Sequence, residues 1–190
     1  DTGQLNDFIA VGWFHTGGFR IVNGRIMSGE YFNQLVNPGC NIPATSTKIH
    51  HITDEMVNDK PPITEVLPKF CDYVGDAVLV AHNAAFDMKF LELKKASCGV
   101  DFNNPVLDTV LLSAYIHDHS NQHTLDVLAE RFGVEIEPQY RHTALGDSIA
   151  TAEVFLRMID LMIARGIHTF ADAIEVSEKM VEIRRQQARY

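Results

Sequence analysis

The chain has 190 residues, 46% of them apolar, and a formal net charge of −9 at neutral pH. A chain of this length forms one compact domain that buries roughly 70% of the surface it exposes when unfolded. The acidity argues against a protein that coats nucleic acid, because sequence-independent binding depends on many Lys and Arg contacts to phosphates. An enzyme that grips a few terminal nucleotides through bound cations escapes that objection, since a carboxylate cluster is acidic until metal neutralises it. No long apolar run is present and the opening "DTGQLNDF" is too polar for a secretory leader, so a soluble, cytoplasmic protein without membrane contact is expected. Cys40, Cys71 and Cys98 are widely spaced and form no C-x-x-C, which suggests neither a disulfide framework nor a thiolate zinc site.

Strand formers dominate from Phe8 to Val36, and Asn23-Gly24 lies between two apolar stretches of "FRIVNGRIMSGEYFNQLV", a hairpin signal. An antiparallel meander therefore opens the domain, followed by "NPGCNIPATSTKIHHIT", which reads as a loop. Pro61 and Pro62 precede Ile63, Val66, Leu67, Phe70 and Val74, whose spacing predicts an amphipathic helix lying on the sheet. "AVLVAHN" from Ala77 reads as a short buried strand and "AAFDMKFLELKKA" as the next helix, with Asn83 as its candidate cap. "PVLDT" from Pro105 predicts another short strand that leads into an apolar helix, and "TLDVLAERFG" a helix closed by Gly133. From Gly146, the stripe Ile149, Ala152, Phe155, Ile159 and Met162 predicts a long helix ending near Gly166. A charged helix then runs toward Tyr190, so residues 1–165 read as the main domain and 166–190 as a helical extension, either a solvated tail or a lead into another domain.

A meander followed by alternating strands and helices predicts an α/β fold with a mixed sheet, antiparallel at first and parallel later, flanked by helices. Such sheets place sites at the carboxyl ends of strands. His82 and Asp87 follow one such end, and Asp108 lies at another.

In "YRHTALGDSIATAEVF", His142 sits in a polar loop and Asp147 at the start of the long helix. Taken alone, Asp147 reads first as a helix cap that complements the N-terminal dipole. A carboxylate held by a helix N-terminus stays ionised, as a hard cation requires, and a neighbouring imidazole is suited to take a proton from water. In "VAHNAAFDMKFL", Asp87 lies a few residues into a helix, where a solvated surface aspartate is the plain alternative.

"AHNAAFD" resembles the second motif of the DnaQ-like DEDDh 3′–5′ exonucleases, the family of the proofreading epsilon subunit of bacterial DNA polymerase III, and "RHTALGD" resembles the third, H-x-x-x-x-D. "IHHITDEM", "LDT" and "HTLDVLAERFGV" are similar to intervening family segments, so the resemblance runs from about Gly18 to Ile163. It implies an RNase H-like fold and stepwise release of nucleoside monophosphates from a nucleic-acid 3′ end, DNA ahead of RNA, with a polymerase or further domains as partners. It also implies two divalent cations, magnesium or substituting manganese, as an all-oxygen site suits. On the matching positions, His142 is the general base, Asp87 and Asp147 are metal ligands, and His82, Asn83, Phe86 and His51 lie along the substrate.

The family's first motif, D-x-E, is not intact. In one register Asp1 is the surviving aspartate and "DFIAVG" is the second strand. In another, "NDFIAV" is the first strand, and Gly12 and Phe14 occupy the carboxylate positions, which predicts a crippled enzyme. In a third, the motif falls outside this stretch of chain. An inactive exonuclease-fold domain that binds a 3′ terminus or a protein is therefore the competing reading. "HDHSNQH" from His117 to His123 invites a zinc or phosphohydrolase reading, against a plain helix-to-helix loop with solvated imidazoles.

Overall fold

Three strands, β1 (Asp7–Gly12), β2 (Thr16–Val22) and β3 (Arg25–Gln34), form the predicted antiparallel meander. The structure is a computed structural model and describes residues 7–12, 16–140 and 143–187. Asn23 and Gly24 make the β2–β3 turn with φ of 50° and 72°, the left-handed pair that matches strand twist in a two-residue hairpin.

The segment between β3 and Pro61 is not all loop. It holds α1 (Ala44–His50), which starts after Pro43 and stops where His51 turns left-handed, and α2 (Asp54–Val57). Both helices are too short to show a hydrophobic period, which is why the sequence does not reveal them. Next come α3 (Ile63–Val74), β4 (Val78–Ala81), α4 (Ala84–Cys98), β5 (Val106–Asp108), α5 (Thr109–Ile116) and α6 (Leu125–Phe132). A 3-10 turn (Pro138–Tyr140) leads to α7 (Ala144–Ala164) and α8 (Phe170–Gln187).

The sheet runs β3-β2-β1-β4-β5, with β1, β4 and β5 parallel. β1 is hydrogen-bonded on both sides, antiparallel to β2 and parallel to β4 through pairs such as Ala10 and Val80. This corrects the expectation that "DFIAVG" is the second strand, while Asp1, the aspartate of that register, lies outside the described residues. The segment is the first central strand, and its carboxyl end is Gly12.

Side chains of β4 alternate between two cores, as strand geometry requires. Leu79 and Ala81 join Leu67, Phe70, Val74 and Leu91 beneath α3 and α4, while Val80 joins Ile21, Leu107, Leu112, Phe155 and Met158 on the α7 side. Each large side chain buried there contributes roughly 1.5–3 kcal/mol. α8 belongs to the second of these layers. Ile167 and Ala173 are 2% and 1% exposed, and the helix packs on α5 and β5 rather than trailing as a solvated tail. Among the described residues, no helix is long and apolar enough to cross a membrane.

Candidate functional site

A cavity of about 970 Å³ opens beside the carboxyl end of β4, and its walls include Thr16, His82, Asn83, Phe86, Asp87 and Asp147. The two aspartates that the motifs single out therefore meet, each carried in the first turn of its helix. α7 is brought there by close packing on the sheet: a Cβ at Gly17 would lie 3.1 Å from the Ala144 Cβ. Gly146 is required for a sharper reason, since a Cβ on it would overlap the carbonyl of Tyr140.

Asp147 is not the cap of α7. Thr143 is, its Oγ1 accepting the Gly146 N–H at 3.1 Å. Thr143 supplies the cap, and Asp147, one turn into the helix, lines the cavity. Asn83 does not cap α4 with its side chain either; it holds the N-cap position in a left-handed backbone, φ 66° and ψ 50°. The group that caps α4 is Asp108, whose Oδ1 and Oδ2 accept the N–H groups of Asn83 at 3.1 Å and Ala84 at 3.0 Å. Asp108 Oδ1 also accepts the Val110 N–H at 2.8 Å, capping α5. An aspartate closing a short strand just ahead of an apolar helix was the available signal for this role.

Burial, followed by the neighbouring Asp108 charge, pushes the Asp87 carboxyl up to about 8. Burial also raises Asp108, against the three backbone N–H bonds that pull it down. His82 is pushed down to about 4, first by burial and then by His123. Its Nδ1 lies 2.9 Å from Thr109 Oγ1, and the Thr109 hydroxyl lies 3.3 Å from the Ala81 carbonyl. With that hydroxyl donating to Ala81, the neutral ring donates from Nδ1 and keeps Nε2 as an acceptor.

Phe86, 62% exposed, stands at the cavity mouth beside Asn83. His51 is not brought to this cavity; it lines a second one of about 550 Å³ with Tyr140 and Thr143. His142, Asp1 and Phe14 lie outside the described residues. The structure also adds Lys94, Asp126 and Arg184 to the cavity wall, which the sequence does not single out.

Among the described residues, no three His, Cys, Asp or Glu side chains group as a metal site. Two carboxylates facing one cavity nevertheless fit a single magnesium-type cation, which is commonly held by one or two carboxylates and completed by substrate phosphate. Asp87 supports this fit, because it is buried and no basic side chain among the described residues forms an ion pair with it. Ligands for a second ion are not found among the described residues. The His117–His123 segment carries no zinc site there: His123 uses Nδ1 toward Ser113 Oγ and Nε2 toward the Ser120 carbonyl, both at 2.9 Å.

Residues 16–155 match the family model described as Exonuclease, RNase_T. The chain belongs to the exonuclease family. This is the DnaQ-like DEDDh group that its motifs resemble, whose members use divalent metal ions. The exonuclease chain is 51% identical over 172 residues to a DNA polymerase III subunit epsilon-like protein of Rhodobacter capsulatus, covering 86% of this chain and 24% of that protein. It is 38% identical over 183 residues to a DNA polymerase III PolC-type protein of Caldanaerobacter subterraneus, covering 96% of this chain and 12% of that one. The chain thus spans a quarter or less of these relatives.

Two solved structures share the RNase H-like fold. Exonuclease X in complex with 5′ overhanging duplex DNA superimposes with a TM-score of 0.70 at 24% identity, covering 91% of this chain and 99% of that one. The nuclease domain of 3′hExo, a DEDDh family member bound to rAMP, gives 0.69 at 15% identity, covering 84% and 94%.

Proposed function

We propose that the cavity takes the 3′ end of a nucleic-acid strand and that the domain hydrolyses nucleoside monophosphates from it, in the 3′–5′ direction, with DNA ahead of RNA. The observation that carries this reading is that Asp87 and Asp147 line one cavity at the carboxyl end of β4. Together they would hold a divalent cation, magnesium or substituting manganese, completed by the substrate phosphate. When bound, such a cation supplies positive charge where negative charge develops on the scissile phosphoryl group.

The remaining work falls to the chain's own side chains. Phe86 would stack on the terminal base, and Asn83 beside it would orient the nucleotide. His82, kept neutral at physiological pH, would offer a hydrogen bond without adding charge. His142 would take the proton from the attacking water, contributing about a hundredfold or more. The relatives' names support a setting beside a polymerase, as a separate chain or as part of one.

A second reading, an impaired domain that binds 3′ ends without cleaving them, is favoured by Gly12 at the carboxyl end of β1, where the family's first motif has carboxylates. One experiment separates the two. The protein is incubated with labelled single-stranded DNA and RNA in magnesium or manganese, beside Asp147→Ala. Monophosphate release by the parent and not by the variant supports the enzyme; tight binding of the oligonucleotide with no release supports the impaired domain; neither binding nor release removes both.

A further inference from the structure

We propose that Arg184, on the carboxyl-terminal helix α8, is a substrate-binding residue that grips a backbone phosphate of the strand entering the Asp87–Asp147 cavity. The inference deepens the function proposed above and rests on it. α8 is fastened to the domain by Ile167, Ala173 and the partly buried Ile174 and Val176, so its last turns have a defined position over β5 and α5. That position carries the Arg184 side chain into the cavity wall, together with Asp87, Asp126, His123 and Asp147.

Charge explains why such a residue is needed. The wall carries the acidic side chains Asp87, Asp126 and Asp147, of which Asp87 takes on its full charge only above about 8 or with a bound cation, beside two basic side chains, Lys94 and Arg184, in a chain whose net charge is −9. A polyanion meets repulsion there unless cations are presented to it. Lys94 lies on α4 with its ammonium 5.8 Å from the centre of the Phe90 ring. Arg184 forms no salt bridge among the described residues, though its charge reaches Asp108 and His123. Its planar fork of donors matches a phosphate in two hydrogen bonds, which an ammonium does not. Arg185, next along the helix, carries the same charge and does not line the cavity.

The test uses the full chain and a fluorescent single-stranded oligothymidylate in EDTA, where binding is read without cleavage. Binding constants are measured across a salt series for the parent, Arg184→Ala, Arg184→Lys and Arg185→Ala, with circular dichroism confirming that each is folded. Arg184→Ala is expected to bind roughly tenfold or more weakly. Its salt slope should fall by about 0.7, the loss of one single-strand phosphate contact. Arg184→Lys should recover the slope and only part of the affinity, and Arg185→Ala should match the parent. Equal losses for Arg184→Ala and Arg185→Ala, or none for either, overturn the role of Arg184 while leaving the nuclease reading intact. A parent that neither binds the oligonucleotide nor releases nucleotide in magnesium or manganese removes that reading, and this inference with it.

Discussion

Asp108 accepts the Ala84 N–H at 3.0 Å and the Val110 N–H at 2.8 Å, so one carboxylate at the end of β5 fixes the first turns of both α4 and α5. Asp87 rides on the first turn of α4. Its place in the cavity therefore depends on a residue that does not line it. Asp108→Ala removes the capping acceptor from two helices and is expected to cost about 2–3 kcal/mol, at roughly 1 kcal/mol or more per cap. Asp108→Asn, which keeps one oxygen acceptor, should cost clearly less. Urea denaturation of the three proteins checks the order; equal stability of parent and Asp108→Ala would show that the caps carry no weight.

The pH dependence of the metal-free protein follows from two buried groups of opposite sign. Asp87 titrates near 8 in the fold and at 3.8 ordinarily, so the folded state holds the extra proton between those values. By linkage, its contribution is fully present below the unfolded value and is lost as pH rises through about 8. His82 titrates near 4 against 6.5, so its contribution is present above 6.5 and is lost as pH falls toward 4. The two effects oppose one another in the lower range, and the Asp87 slope emerges alone between 6.5 and about 8. In EDTA the melting temperature should fall across that upper range, and Asp87→Asn should flatten the fall. A variant that follows the parent curve would remove Asp87 as its cause.

Gly146 has no room for a methyl group, because a Cβ there would occupy the space of the Tyr140 carbonyl. That carbonyl also accepts the Thr143 hydroxyl at 2.7 Å, so displacing it disturbs the cap of α7 and the turn ahead of Asp147. Gly146→Ala should destabilise by about 1–3 kcal/mol, as overpacking commonly does. It should reduce nucleotide release more than a stability-matched core variant such as Ile167→Val. Equal activity of the two variants at equal stability would separate the Tyr140 turn from function.

Removing the chain beyond Gly166 deletes Ile167 and Ala173 from the core and exposes the α5 face they cover. Burial of Ile167 alone contributes roughly 1.5–3 kcal/mol. The truncated protein is expected to aggregate or to melt well below the parent. An unchanged thermal transition would show that α8 is dispensable to the fold.

The elements with strong local signatures were legible from the residues. Asn23-Gly24 gave the hairpin, Pro62 and the Ile63–Val74 spacing gave α3, and the Ile149 to Met162 stripe gave α7. α1 and α2 were not, because seven and four residues are too few to show a period. Asp87 and Asp147 were legible through their motifs. Their surroundings were not, since capping is decided by three-dimensional reach. Asp147 and Asn83 both sit where a cap belongs, yet Thr143 and the distant Asp108 perform the task. Arg184 was invisible for a similar reason: its place depends on how α8 packs, and a charged helix end in a sequence looks the same whether it faces a cavity or water.

Manganese binding followed by the electron paramagnetic resonance signal of the free ion tests most directly whether Asp87 and Asp147 share a cation. The parent, Asp87→Asn and Asp147→Asn are titrated in the presence of thymidine 5′-monophosphate, which supplies the phosphate ligand. A site present in the parent and lost in each single variant is the predicted result. A site that survives either substitution unchanged, or its absence from the parent, would contradict a shared cation.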